Sequence, residues 1–167
     1  MDFARIANDN RILEIMSGSH MFGTNTPESD QDFVGIFLPT EEMLYGFQEC
    51  EVVNINKAAK DETGRNTADA IDRTLYEFRK FCKLAMENNP NILNVLFASK
   101  NSVVYSTEFG EVLRSKAELF PHKGCFHRYV SYARSQRHKM VLKPENYNQL
   151  VSALAILKTR DDKNRPI

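Results

Sequence analysis

Two aspartates separated by a single residue are the first candidates for chemistry in this sequence. Asp30 and Asp32 begin the stretch DQDFVGIFL, whose apolar residues and end at Pro39 predict a strand. Side chains at i and i+2 of a strand share a face, so the two carboxylates would lie close together. Like charges at that separation repel unless a cation lies between them. Mg²⁺ is the expected ion, because it takes oxygen ligands and keeps coordination positions for water and phosphate.

A Gly-Ser pair precedes the aspartates. Gly18 and Ser19 end the predicted strand RILEIMS, and the glycine lets the backbone approach a ligand closely. The serine offers a hydroxyl group, and a helix that begins here would direct free N–H groups toward a phosphate. The two features together predict a phosphate site after one strand and a metal site on the next.

Three other interpretations of the Asp-x-Asp pair remain open. Aspartates of this spacing are common in surface turns, where they cap the backbone. A calcium loop would also use Gly35 and Glu41, but Val34 stands at a position that requires a ligand. A sugar-nucleotide transferase with a lone Asp-x-Asp needs a larger nucleotide-binding fold than a chain of 167 residues provides.

The elements that must hold these residues are strands first and helices later. The predicted strands are RILEIMS, DQDFVGIFL and EVVNINKA, and NILNVLFA fits either a helix or a strand. The predicted helices are IDRTLYEFRKFCKLAMENN, with Leu75, Phe78, Phe81, Cys82 and Ala85 at helical spacing, STEFGEVLRSKAELF with Ser106 as N-cap, CFHRYVSYARSQRHKMV and NYNQLVSALAILKTR. Residues 57–70 are polar and predict a mobile surface loop.

This order predicts an α+β (α/β) fold with a small mixed sheet and a helical C-terminal part. We expect a catalytic core over residues 1–100, with the helical residues 101–167 packed on it or joined to it in a single domain.

Composition restricts the possible partners. The chain carries 22 Lys and Arg against 22 Asp and Glu, so any binding of nucleic acid must rest on a local patch. Three dispersed cysteines form no CxxC pair, which argues against a zinc knuckle. Their odd number, without a secretory signal, predicts a cytoplasmic location, and no apolar run approaches the roughly 20 residues that span a bilayer. The oligomeric state is left open.

One such patch is the basic helix at residues 123–143. It has six basic residues and no acidic residue, with aromatic residues interleaved; the basic ones are Lys123, Arg128, Arg134, Arg137, Lys139 and Lys143. The patch predicts contact with a triphosphate or with an RNA or DNA acceptor. An ordinary solvated helix face is the alternative.

The spacing of the first motif resembles a known family. Gly18-Ser19, ten further residues and then Asp30-Gln31-Asp32 resemble the signature of the DNA polymerase beta-like nucleotidyltransferase superfamily. The longer string GSHMFGTNTPESDQDFVGIF is most similar to a bacterial and phage branch associated with RNA repair. Gln31 departs from the apolar residue usual there, and it lies on the strand face opposite the aspartates.

The resemblance continues along the chain to about residue 140. DRTLYEFRKF resembles the segment with the superfamily's third carboxylate, which implies Asp72, with Asp69 as a second candidate. In the following NPNILNVLF, Asn94 stands where the branch has Glu. A later Tyr-x-x-x-Gln segment corresponds to Tyr132 and Gln136, which share a helix face. The branch's Asp-x-Lys…His segment is not recognisable beyond residue 143.

The resemblance implies a two-metal nucleotidyl transfer from an NTP such as ATP to an acceptor hydroxyl. An RNA end is the favoured acceptor, and a DNA end, a tRNA and a protein hydroxyl remain open. Asp30 and Asp32 would bridge two Mg²⁺ ions, with Mn²⁺ as an alternative, and Asp72 would hold the ion at the acceptor. The implied nucleotide-binding residues are Gly18, Ser19, Ser29, Tyr132, Gln136 and Lys139. A catalytically weak nucleotide- or partner-binding module that keeps the fold is the alternative, favoured by Asn94 and by the unrecognised C-terminal segment.

Overall fold

A five-stranded mixed sheet forms the centre of the molecule. The computed structural model describes residues 2–60, 62, 67–140 and 151–152. The strands are β1 (Arg11–Met16), β2 (Gln31–Phe37), β3 (Val52–Lys57), β4 (Ile71–Glu77) and β5 (Val103–Ser106), in the spatial order β3-β4-β2-β1-β5. Strands β2 and β4 run parallel, and the other neighbouring pairs are antiparallel. The predicted α+β class with a small mixed sheet is confirmed.

Seven α-helices accompany the sheet within the described residues. They are α1 (Phe3–Asp9), α2 (Gly18–Phe22), α3 (Glu41–Tyr45), α4 (Phe78–Met86), α5 (Pro90–Leu96), α6 (Glu108–Ser115) and α7 (Cys125–Met140). The segment NILNVLFA, which fits two structures by sequence, is therefore helical. Asn89 caps this helix by accepting a hydrogen bond from the Asn91 N–H at 3.1 Å, and Pro90 occupies its first turn. The predicted basic helix is confirmed as α7.

Alternation along the strands gives the sheet two apolar faces. Val34 and Ile36 point to the face with the larger core, where Phe81 of α4 and Leu93 of α5 are buried. Phe37 points to the opposite face and packs in a smaller cluster with residues of α1. The aspartates alternate in phase with Val34 and Ile36. The acidic end of β2 therefore shares its sheet face with the larger core.

The predicted helix over residues 71–89 is wrong in its first third. Residues Ile71–Glu77 form β4, and the helix begins only at Phe78. Leu75 and Phe78 are three residues apart, which fits a helix, but Leu75 is buried as a strand residue beneath α1. The change of structure occurs at Glu77, whose buried carboxylate accepts hydrogen bonds from the N–H groups of Arg79 and Lys80 at 3.0 and 3.3 Å.

The predicted cap at Ser106 is also wrong. Ser106 ends β5, a short strand that the sequence analysis did not identify. Thr107 caps α6 instead, because its hydroxyl accepts a hydrogen bond from the Gly110 N–H at 3.3 Å and donates one to the Ile12 carbonyl at 3.1 Å. The same residue therefore begins a helix and joins it to β1.

Two compact units divide the chain, residues 1–128 and residues 129–167. The predicted boundary near residue 100 stays a prediction, and β5, which follows it, pairs with β1. Residues 61 and 63–66 of the predicted loop 57–70 lie outside the described residues, and its first residue, Lys57, belongs to β3. Most of the predicted final helix also lies outside the described residues. Among the helices that can be described, none combines the length and apolar character needed to cross a membrane.

Candidate metal-binding active site

The parallel pair β2–β4 sets two aspartates side by side. Asp32 is aligned with Asp72 in the register of the two strands. Neighbouring strands lie about 4.8 Å apart, and aligned residues of a parallel pair present their side chains to the same face. Asp72, which the resemblance indicates as the third carboxylate, is thus next to the Asp-x-Asp motif, although it lies 40 positions after Asp32 in the sequence.

Asp30 completes a cluster of three carboxylates. One oxygen from each of Asp30, Asp32 and Asp72 lies within 4.8 Å of the others, and none of the three residues is buried. Three oxygen donors open to solvent fit a hard divalent cation such as Mg²⁺, which retains positions for water and phosphate. Asp69 is exposed in the turn before β4 and does not belong to this cluster.

The electrostatic environment of Asp32 is unfavourable to its negative charge. Partial burial, followed by the charges of Asp30 and Asp72, raises the pKa of the Asp32 carboxyl above its ordinary value, and His20 opposes this shift. Within the described part of the chain, neither Asp32 nor Asp72 forms an ion pair with a lysine or arginine. A bound divalent cation would relieve this repulsion.

The Gly-Ser turn lies directly against the cluster. Gly18 has a φ of +58°, a conformation that favours glycine, and a β-carbon at this position would overlap the Asp32 carboxylate. The Ser17 N–H also donates a hydrogen bond to the Asp32 carbonyl at 2.7 Å. The absence of a side chain at Gly18 therefore leaves room for the Asp32 carboxylate. Ser19 is the next residue of the short helix α2.

Ser29 has a structural contact in the described fold. Its hydroxyl accepts a hydrogen bond from the Thr26 N–H at 2.9 Å, and its own N–H donates to the Thr26 carbonyl at 3.0 Å. These bonds close the turn that leads into Asp30. Gln31, the residue that departs from the resemblance, donates from its side chain to the Ala68 carbonyl at 3.4 Å. The predicted nucleotide contact of Ser29 stays a prediction.

The remaining predicted nucleotide-binding residues lie on α7, in the unit of residues 129–167. Tyr132 and Gln136 are one helical turn apart, and the side chain of Lys139 lies outside the described residues. Arg134 and Arg137 of the same helix are exposed. Contact of α7 with a nucleotide or a nucleic acid therefore stays a prediction, as does the alternative of a solvated face.

The sequence analysis gave no role to two polar residues that lie beside the site. His20 directly follows the Gly-Ser pair, and its Nε2 is buried without a hydrogen-bond partner in the described part of the chain. Asn56 on β3 is aligned with Asp72 on β4. The alternation Asn54-Ile55-Asn56 was a signal for a strand with one polar face, but only the pairing of β3 with β4 connects that face to the acidic cluster.

A mixed sheet that sets a Gly-Ser turn against three clustered carboxylates defines the class of polymerase-beta-like nucleotidyltransferases. Within that class, the chain belongs to RlaP, the RNA repair pathway DNA polymerase beta family, which it matches over residues 1–158. The family predicted from the motifs is therefore confirmed, and this family membership indicates a nucleotidyltransferase-like function.

Two relatives are similar over most of the chain. A 38.9 kDa protein from the nrdC-mobD intergenic region of Enterobacteria phage T4 is 31% identical over 149 residues, which are 87% of this chain and 43% of the phage protein. The protein YcgL of Bacillus subtilis strain 168 is 25% identical over 126 residues, which are 74% of this chain and 44% of YcgL. The chain thus spans less than half the length of these curated relatives.

Proposed function

We propose that this protein is a metal-dependent nucleotidyltransferase that moves a nucleoside monophosphate from an NTP to an acceptor hydroxyl, with an RNA end as the favoured acceptor. The observation that carries the proposal is the alignment of Asp32 with Asp72, with an Asp30 oxygen within 4.8 Å of both. Family membership supports nucleotidyl transfer, and the family's description supports RNA as the acceptor.

In the proposed reaction, the acceptor oxygen forms a bond to the α-phosphorus while the bond from that phosphorus to the bridging oxygen breaks. Pyrophosphate leaves, and the hydroxyl proton passes to solvent. Bound divalent cations supply neutralisation of phosphate charge and activation of the hydroxyl. Asp30 and Asp32 would hold cations against the triphosphate, and Asp72 would do so on the side of the acceptor.

The Gly-Ser turn would bind the triphosphate. Gly18 has no side chain between the turn and Asp32, so phosphate oxygens can approach the backbone there. Ser19 adds a hydroxyl donor. Most of the catalytic work in this scheme is positioning and charge neutralisation, which is what the transfer of a phosphoryl group requires of a protein.

A radiolabel assay tests the proposal. Purified protein, Mg²⁺, an RNA oligonucleotide and each α-³²P-labelled NTP should give labelled RNA and pyrophosphate. Asp32→Asn and Asp72→Asn should each lower the rate by more than about 100-fold, because loss of even an indirect metal-supporting group costs about 10- to 100-fold. Asp9→Asn is the control, since Asp9 lies in an exposed pair with Arg5. Unchanged metal-dependent transfer in both cluster variants would refute the assignment.

The second candidate, a nucleotide-binding module with weak or no catalysis, is favoured by Asn94 on α5, at the position where the branch has Glu. Thermal denaturation with Mg²⁺ and each NTP separates the two candidates. Stabilisation by an NTP without release of pyrophosphate supports the module, and release of pyrophosphate in the presence of RNA supports the enzyme.

A further inference from the structure

A row of polar side chains extends the acidic cluster toward one edge of the sheet. Strand β3 is an edge strand and pairs antiparallel with β4, with Asn56 opposite Asp72 and Asn54 opposite Thr74. Directly opposite residues share a face, with β-carbons about 4.5–5.5 Å apart. Because Asp72 is in turn aligned with Asp32, the side chains of Asn56, Asp72 and Asp32 form a continuous row across three strands.

The amides of this row differ in how they are held. The Thr74 hydroxyl donates a hydrogen bond to the Asn54 side-chain oxygen at 3.1 Å, which fixes that amide. Asn56 is exposed, and no residue in the described part of the chain hydrogen-bonds its side chain. A carboxamide offers one acceptor oxygen and two N–H donors, so it can bind hydroxyl groups in either direction. Asn56 therefore presents an available amide beside Asp72.

The geometry of the transfer decides which substrate approaches this amide. Asp32 on β2 has β4 on one side and the Gly18 turn, which follows β1, on the other. The Ser17 N–H joins that turn to the Asp32 carbonyl. In phosphoryl transfer the attacking and leaving oxygens are roughly in line on opposite sides of phosphorus. If the triphosphate lies at the Gly18 turn, the acceptor must enter from the side of Asp72, where Asn56 is the next residue in the row.

We infer that Asn56 binds the ribose of the acceptor nucleotide through its 2′-hydroxyl, next to the 3′-hydroxyl that attacks. The inference rests on the proposed function and assigns the acceptor side of that site. A vicinal diol suits an amide, because each hydroxyl both donates and accepts. The 2′-hydroxyl is also the group by which a protein distinguishes RNA from DNA.

The test compares two oligonucleotides of one sequence that differ only in the terminal ribose, which carries either a 2′-hydroxyl or a 2′-hydrogen. Wild-type protein should favour the 2′-hydroxyl end in kcat/KM. Asn56→Ala should reduce that preference by about three- to tenfold, the effect of one neutral hydrogen bond, through a higher KM for the 2′-hydroxyl acceptor. The KM for the NTP should not change, and Asn56→Ser should restore part of the preference.

The control is Asn101→Ala, which removes an exposed asparagine in the turn before β5, at the opposite edge of the sheet. It should keep the wild-type preference. Anisotropy of the two labelled oligonucleotides with Mg²⁺ and no NTP repeats the comparison without chemistry, and Asn56→Ala should reduce the difference between the two affinities by the same factor of about three to ten.

Three results overturn the inference, and they separate the role of Asn56 from the proposed function. A wild-type protein that transfers nucleotides but has the same preference as Asn56→Ala overturns the role of Asn56 alone, as does an equal loss with both acceptors. A wild-type protein that transfers no nucleotide from any NTP to either acceptor overturns the proposed function, and the acceptor site with it.

Discussion

The two faces of the sheet hold carboxylates in opposite ways. On one face, Asp32 and Asp72 are accessible, and neither has an ion pair with lysine or arginine among the described residues. On the other face, Glu14 of β1 is 1% exposed. Arg11 binds its carboxylate at 2.6 Å, and Arg73 forms two hydrogen bonds to the same group, one of them at 3.0 Å. One face carries repelling charges, and the other carries a neutralised one.

Arg73 makes the contrast clear. It directly follows Asp72 in the sequence, yet the alternation of β4 directs the two side chains to opposite faces. The arginine charge therefore pairs with Glu14 rather than with the acidic cluster. A buried carboxylate needs such partners to be tolerated, whereas repelling carboxylates left without them cost stability. The difference assigns Glu14 to the stability of the fold, and it supports the proposed role of Asp32 and Asp72 in metal binding.

The largest effect on stability is expected at Glu14. Glu14→Ala leaves two guanidinium groups at a buried site without their carboxylate, and loss of one partner of a buried pair costs about 3–5 kcal/mol. Denaturation by urea, monitored by circular dichroism, measures the change in the free energy of unfolding. Glu51→Ala is the matched control, because Glu51 forms an ion pair with Lys80 at 2.6 Å but is itself exposed. Equal losses in the two variants would contradict the structural role of Glu14.

A smaller effect is expected from two glycines with the same backbone conformation. Gly18 and Gly23 have φ values of +58° and +67°, so alanine at either site should cost about 1–3 kcal/mol. Only at Gly18 would the new β-carbon overlap Asp32, since nothing lies within 4 Å of such an atom at Gly23. Gly18→Ala should therefore lose Mg²⁺-dependent transfer, and Gly23→Ala should retain it. The same activity in both variants would mean that Asp32 does not depend on Gly18.

Removing a charge from the acidic cluster should stabilise the metal-free protein. With EDTA present, Asp32→Asn should raise the free energy of unfolding by about 0.5–1 kcal/mol, the size of a solvent-screened repulsion at this separation. Addition of Mg²⁺ should reverse the order, because the wild-type protein binds the ion and gains stability. Thermal denaturation measures both. If Mg²⁺ did not change the stability of the wild-type protein, the aspartates would not bind the ion, and the proposed difference between the two faces would be refuted.

The smallest effect is a dependence on pH. Burial and the neighbouring aspartates raise the pKa of Asp32 in the folded state, so its ionised form disfavours folding. The advantage of Asp32→Asn in EDTA should be full at neutral pH and should shrink as the pH falls through the raised pKa toward the ordinary carboxyl range. Denaturation midpoints of both proteins across that range measure the difference. An advantage that grew with acidity would have the wrong sign.

The motifs selected three aspartates that the fold brings together, whereas the boundaries of the elements around them were predicted less well. Asp72 was chosen because DRTLYEFRKF resembles a family segment. In the structure, Asp72 lies on β4 and is aligned with Asp32 on β2. The helix predicted to contain Asp72 begins later in the structure, at Phe78. The spacing of Leu75 and Phe78 fits one continuous helix, and it fits equally well a strand that is followed by a helix. Glu77 ends β4, and its carboxylate caps α4. A pattern of apolar spacing does not detect a capping glutamate, so the boundary was not predicted.

Local sequence patterns could not predict which residues distant in the sequence are in contact. Glu14 and Arg73 are 59 positions apart, and nothing local in either segment identifies the other. Asn56 likewise becomes a site residue only through the pairing of β3 with β4. Strand β5 was missed because four residues are too short for alternation to distinguish from a turn.

The alignment of Asp32 with Asp72 also determines where the chain can accept an inserted residue. A single-residue insertion inside β4 between Asp72 and Leu75 would reverse the phase of Asp72 relative to the buried Leu75 and would turn the Asp72 carboxylate away from the acidic cluster. The same insertion in the chain between Lys57 and Ile71 leaves the phase of β4 intact. We therefore expect length variants to be accepted before Ile71 and rejected between Asp72 and Leu75, a boundary that a library of single-codon insertions would map.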